Sequence, residues 1–333
     1  MPVAMKALVL ISCLVVCLAP QPLAAKQQIF VFHTDEFWLS LHHFLYVLGR
    51  AENKERDSSR EAVVGAPADE QRGLSRLNTS EREIWRKAVS AYASVVSKKD
   101  IVFDDPLPDI TKALTRAGNI TSLSGTQVDP TISSILESAA PIYRKAWWDQ
   151  HHSANIKWQK TVQRFVDKDG ATVLAFITST YKMPWPANGF DVHISAYSNW
   201  AAAYSTKGNL LVLSSLDPST QGAYGFETIF HEGMHQWDEQ IQDALIEQAK
   251  RIGKYFPRGL SHSMIFYTAG EAVRRVIPDH VPYAERFGVW QRGMGSFKVA
   301  LDETWKPYLD GHGTRDEAFA AVITRTAVAP PKQ

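Results

Sequence analysis

Hydrophobic and polar positions alternate in two distinct ways along the chain. In the first half the apolar residues recur at helical spacing. "DEFWLSLHHFLYVLGR" (35–50) reads as a buried helix that begins near Asp35 and ends near Gly49. Residues 51–80 are polar and mixed in charge, and read as a flexible connection or an exposed helix and loop. "TSEREIWRKAVSAYASVVSKKD" follows as a helix, with Ser80 and Glu83 spaced as a capping box. Further helical segments are predicted around 130–147 and 153–167. In the middle the period shortens. "GFDVHISAYS" (189–198) and "KGNLLVLSS" (207–215) are β-rich and bounded by Gly, Asn and Ser, and read as neighbouring strands of a small antiparallel sheet. A long helix then spans the residues around 230, another runs over about 261–277 to Pro278, and helices around 284–308 and 314–325 close the chain.

The predicted fold class is therefore α+β and mainly helical. A helical N-terminal lobe (26–180) precedes a core of strands and helices (181–333), with no sharp boundary between them. Hydrophobic residues make up 45% of the 333 residues and charged residues 21%, which suits a globular protein with a substantial core.

Residues 1–25 form a separate pattern. Lys6 precedes the apolar run "ALVLISCLVVCLA", and "PLAA" ends in small residues at Ala25. This reads as a secretory signal peptide, so a secreted or periplasmic protein is expected, with no stable membrane insertion after cleavage. Both cysteines, Cys13 and Cys17, fall in this segment. A mature chain from residue 26 would then hold no disulfide, and any metal would be bound by His, Asp or Glu. Removing Lys6 brings the 36 basic residues level with the 35 acidic ones. Such a neutral chain argues against nucleic acid as a partner.

Candidate chemistry centres on "FHEGMHQWD" (230–238). Phe230, Met234, Trp237 and Ile241 recur on one apolar helix face. His231 and His235 lie one turn apart beside that face, so both imidazoles can reach one ion. Glu232 projects about 100° further round, within reach of a water on that ion. Two imidazoles from one turn and a neighbouring base are what catalytic zinc requires, together with a third protein ligand and an open position. Asp238 and Glu239, a turn past His235, can support an imidazole but are poorly placed to share the ion. The better third ligand is Glu271, beside the apolar face formed by Phe266, Gly270, Val273 and Ile277, with Gly270 allowing close helix approach. An ion pair of Glu271 with Arg274 or Arg275 is the competing reading, and His262 is the next candidate ligand. The crowded His33, Asp35, His42 and His43 are read as packing, with at most one histidine supporting the cleft.

With His231, Glu232 and His235 in HExxH spacing, residues 190–280 resemble the zincin metallopeptidases. The chain departs from the metzincin pattern, which would place glycine at position 238 and His or Asp at 241, where Asp238 and Ile241 stand. A downstream Glu ligand makes the resemblance gluzincin-like, although the usual "NExxSD" and "NEGxA" signatures are missing. The resemblance implies one Zn²⁺ held by His231, His235 and Glu271, with Glu232 as general base. It also implies an upstream strand that binds substrate backbone, for which "KGNLLVLSS" is placed. A Tyr or His donor to the oxyanion is implied as well, with Tyr283 first, then Tyr267 and His312. The expected function is an exported zinc metallopeptidase acting on a peptide or protein substrate through a zinc-activated water. Two other readings stay open: a zinc-stabilised, non-catalytic binding protein of the cell envelope, and a zinc hydrolase of a non-peptide amide.

Overall fold

A computed structural model describes residues 28–56, 65–206 and 210–329. Residues 1–25, where a signal peptide is expected, lie outside the described residues. Among those described, no helix is long and apolar enough to cross a membrane.

The chain opens with strand β1 (Phe30–His33) and helix α1 (Phe37–Arg56), followed by α2 (Ala66–Leu74), α3 (Thr79–Val95), α4 (Leu107–Ala117) and α5 (Pro130–Tyr143). A wide turn over 144–148 leads into the long α6 (Asp149–Tyr181). Strands β2 (Phe190–Ser195), β3 (Ala203–Thr206) and β4 (Leu210–Ser214) come next. The second half is α7 (Ala223–Met234), α8 (Asp238–Ile252), α9 (Leu260–Arg274), α10 (Tyr283–Arg286), α11 (Gly295–Leu309) and α12 (Arg315–Thr326). The protein is mainly helical α+β, as its hydrophobic pattern predicts.

The sheet departs from expectation. Its order is β1-β2-β4-β3, with β1–β2 and β2–β4 parallel and only β3–β4 antiparallel. β2 and β4 are neighbours, but they run parallel because β3 passes outside β4 rather than between the two. The capping box of α3 is formed by Asn78 and Glu81, two residues earlier than predicted: the Asn78 side chain accepts from the Glu81 amide, and Glu81 accepts from the Asn78 amide.

Side chains alternate across the strands, so the sheet joins two hydrophobic cores. Val192, Ile194, Leu211, Leu213 and Ala203 face a core built with α6, α7, α8, α9, α11 and α12. Tyr204, Leu210 and Val212 face a second core built from α1 to α5. Elements from both sides of residue 180 share the sheet and both cores. β1 pairs with β2, and α6 packs Trp158, Val162 and Ile177 into the core of the second half.

The helix carrying the candidate motif is pressed onto this sheet through Phe226, Ile229, Phe230 and Met234, all fully buried. Gly233 makes the fit possible. A Cβ there would lie 2.3 Å from the ring of Trp185, which packs edge-on against Phe190 and Trp237. Gly233→Ala is therefore predicted to lower stability by about 1–3 kcal/mol through overpacking, despite alanine's better helix propensity. Denaturant unfolding checks this, and equal or higher stability of the variant would contradict it.

Candidate metal centre

α7 does not continue unbroken into α8. Residues His235–Trp237 tighten into a 3₁₀ turn before Asp238 starts the next helix. With about three residues per turn, positions i and i+3 eclipse. That brings Asp238 onto His235, with Nδ1 2.8 Å from the carboxylate. His235 Nδ1–H donates to Asp238, leaving the Nε2 lone pair free. Nε2 of His235 lies 3.1 Å from Nε2 of His231. Two nitrogens bound tetrahedrally at about 2.0–2.1 Å from one ion would be about 3.3–3.4 Å apart, so the spacing is close to that of a shared ion.

The third histidine is His262, in the first turn of α9. His231, His235 and His262 offer nitrogen atoms that all lie within 4.8 Å of one another. The Phe266 ring, one turn further along α9, packs against His231 at 4.1 Å and against His262 at 4.7 Å between ring centroids.

Burial determines the charge of this group. Desolvation, reinforced by the neighbouring imidazoles, holds His231 well below its usual range, and desolvation takes His262 down to about 4. Burial also disfavours charge on His235, but the Asp238 carboxylate and Glu232 outweigh it and the net shift is upward. The buried Nδ1 of His231 finds no hydrogen-bond partner among the described residues. Converging imidazoles with a carboxylate behind one of them offer nitrogen donors to a metal ion. These three residues form a group able to hold a metal ion.

The expected ligand Glu271 is not part of it. Its Oε1 accepts from Arg274 at 2.9 Å and its Oε2 is 3.5 Å from Lys306 of α11. The reason is local: Arg274 follows one turn later on the same helix face, and α11 supplies a second cation. Gly270 does mark a close approach, since a Cβ there would meet Pro282 at 2.5 Å and Glu227 at 3.3 Å. The approach serves the segment entering α10 and does not bring Glu271 to the histidines.

The three histidines open onto a cleft of about 1840 Å³ that also reaches Glu232, Tyr283 and the residues of β3. Glu232 is 6% exposed, and burial pushes its carboxyl up to about 7, against the opposing pull of His235 and a hydrogen bond from Ser205 of β3. Tyr283 places its hydroxyl 3.4 Å from the Ser219 hydroxyl and stacks on Phe266 at 6.1 Å. Tyr267 instead donates to Asp302 at 2.7 Å, and His312 is exposed, so neither lines the cleft.

The strand beside the cleft is β3 rather than the predicted "KGNLLVLSS". β4 is enclosed between β2 and β3, so its backbone is already paired on both sides. β3 was not foreseen, because "AYST" is short and half polar. The rival histidines near the N-terminus pack as expected. His42 and His43 are fully buried, and bond the Tyr92 and Tyr204 hydroxyls at 3.1 and 2.8 Å. His43 thereby backs Tyr204, a residue of the cleft wall. His33 bonds Asp191, and His193 bonds Glu36, on the far strands of the sheet.

The chain matches no protein-family model, no curated protein and no solved structure, so the site is read from its own geometry.

One divalent ion is predicted to bind per chain. His262→Ala should weaken its affinity by a hundredfold or more, Asp238→Asn by about 10–100-fold, and Glu271→Ala hardly at all. Titration calorimetry on metal-stripped protein separates these. A Glu271→Ala loss equal to that of His262→Ala would overturn the ligand assignment.

Proposed function

We propose that the protein is an exported zinc-dependent hydrolase that cleaves peptide bonds, with Glu232 as the general base. The observation that carries this reading is the placement of the Glu232 carboxyl in the same cleft as three converging imidazoles. A purely structural metal site would need no buried carboxyl beside it, and its ligands would close around the ion. His231, His235 and His262 would hold the ion at the cleft, where a substrate could reach it.

Zinc is preferred because three neutral imidazoles without a thiolate are a common donor set for it; when bound, it polarises a carbonyl and makes water more acidic. The chain's own residues supply the rest. Glu232 takes the proton from the attacking water at a carboxylate oxygen and returns it to the departing amine nitrogen. A carboxyl whose affinity for protons lies near neutrality suits both halves of that exchange. Asp238 holds the His235 tautomer. Tyr283, another residue of the cleft, can donate its O–H to the oxygen of the carbonyl under attack.

Among the described residues β3 is an edge strand of the sheet, with its Thr206 carbonyl taken by Gln236, and this edge supports a peptide as the substrate. Its backbone groups can hydrogen-bond an extended chain laid along the cleft, a recognition mode open to peptides. A cleft of about 1840 Å³ also exceeds the usual 300–1,000 Å³ of small-molecule pockets.

Glu232→Gln is predicted to keep the metal and the melting temperature while lowering hydrolysis of an unfolded protein by about 10²–10⁴-fold. Wild-type turnover in this variant would remove the proposed centre. Hydrolysis of isolated cell-wall material but not of protein would move the reading to a non-peptide amide.

A further inference from the structure

Glu227 is one turn before His231 on α7 and takes no direct part in the chemistry above. It is a fully buried carboxylate, 1% exposed, and both of its oxygens are engaged. His280 Nε2 donates to one of them. The backbone amide of Tyr283 donates to both, at 3.0 and 2.9 Å. The intervening Pro282 fills the space left by Gly270, whose absent Cβ would lie 2.5 Å from it. Tyr283 then turns its ring onto Phe266, the residue that packs on His231 and His262.

A buried carboxylate is costly unless it is paired and hydrogen-bonded. Here the pairing is with a segment distant in sequence, and that segment carries a cleft residue. The anchored atom is the Tyr283 amide rather than its side chain, so the contact fixes where the residue starts and leaves the phenol free to face the cleft. The carboxylate and His231 share one helix, so the clamp ties Tyr283 directly to the element bearing the metal ligands.

We propose that Glu227 is a positioning residue that, with His280, holds Tyr283 at the cleft wall in register with the histidine group. This rests on the hydrolase reading for its functional consequence but not for its geometry. Catalytic geometry tolerates errors of only about half an ångström, so an anchor on the motif helix matters more than one on the distant surface.

Two measurements test it. The first is hydrogen exchange of the segment 279–288, followed by mass spectrometry in the full-length protein. Glu227→Leu should expose the Tyr283 amide to rapid exchange, Glu227→Gln should keep it largely protected through the retained oxygen, and Tyr283→Phe should leave it unchanged. Continued protection in Glu227→Leu would overturn the proposal whether or not the protein is a hydrolase. If Glu227→Leu does not fold, Glu227→Asp, one methylene shorter, draws the carboxylate away from the amide and takes its place with the same expected exposure.

The second is a double-mutant cycle on peptide hydrolysis. Glu227→Leu and Tyr283→Phe should each lower kcat by about 10²–10³-fold with KM nearly unchanged, and combining them should cost less than threefold beyond either alone. Independent, multiplying losses would show that Glu227 does not act through Tyr283. Activity that depends on Glu232 but shows additive losses refutes the clamp and leaves the hydrolase reading standing. Activity indifferent to Glu232 refutes the hydrolase reading, while the exchange result still decides the geometry.

Discussion

Ten consecutive residues of α7, Gly225 to Met234, are buried, so the helix has no solvent face on which it could rotate. Phe226, Ile229, Phe230 and Met234 lock it to the sheet, and Gly233 admits the Trp185 ring. With the helix fixed in this way, His231 has one direction left, into the cleft. The tightening at His235–Trp237 then turns His235 towards it and brings Asp238 behind. The separation of 3.1 Å between the two Nε2 atoms follows from core packing as much as from the four-residue spacing.

The same burial sets the electrostatics. Desolvation penalises the charged forms of imidazole and carboxylate alike, so it leaves His231 and His262 neutral and raises Glu232 towards neutrality. His231 and His262 can therefore meet a cation without first losing protons, whereas Asp238 and Glu232 favour the protonated form of His235. The cleft in front is walled by β3, which is braced from the other side of the sheet by the His43–Tyr204 hydrogen bond. Among the described residues the N-terminal helices thus support the site through the sheet and line part of the cleft with Asp109 and Lys112 of α4, while the histidine group draws on none of them.

Much of this was legible in the sequence. α1, β2, β4 and the apolar face of Phe230, Met234, Trp237 and Ile241 follow from their apolar runs and bounding residues, although α1 from Phe37 to Gly49 and all of β4 are buried on every side. β1 and β3 carry no comparable signal. Each has only four residues, and "FVFH" and "AYST" carry too few alternations to signal a strand. The parallel pairing of β2 with β4 depends on β3 swinging outside, which no local pattern encodes. Glu271 stands beside an apolar face, which marks it in the sequence as a candidate third ligand, yet Arg274 and Lys306 claim it. The second of these cations comes from α11, a contact invisible at the sequence level. His262 stands in the first turn of α9, and where that turn meets α7 depends on how the helices cross. A usable signal was present in Phe266, spaced four residues after His262, which forms an aromatic pair on the face turned to α7. Glu227 gave no signal at all, since its partners His280 and Tyr283 lie more than fifty residues away.

Whether His231, His235 and His262 together hold one metal ion beside Glu232 can be read from X-ray absorption at the zinc edge of the zinc-loaded protein. Three imidazole nitrogens at about 2.0–2.1 Å are expected, with multiple-scattering features of three histidines, reduced to two in His262→Ala. A first shell containing only two imidazoles in the unaltered protein, or one unchanged by His262→Ala, would contradict the three-histidine site.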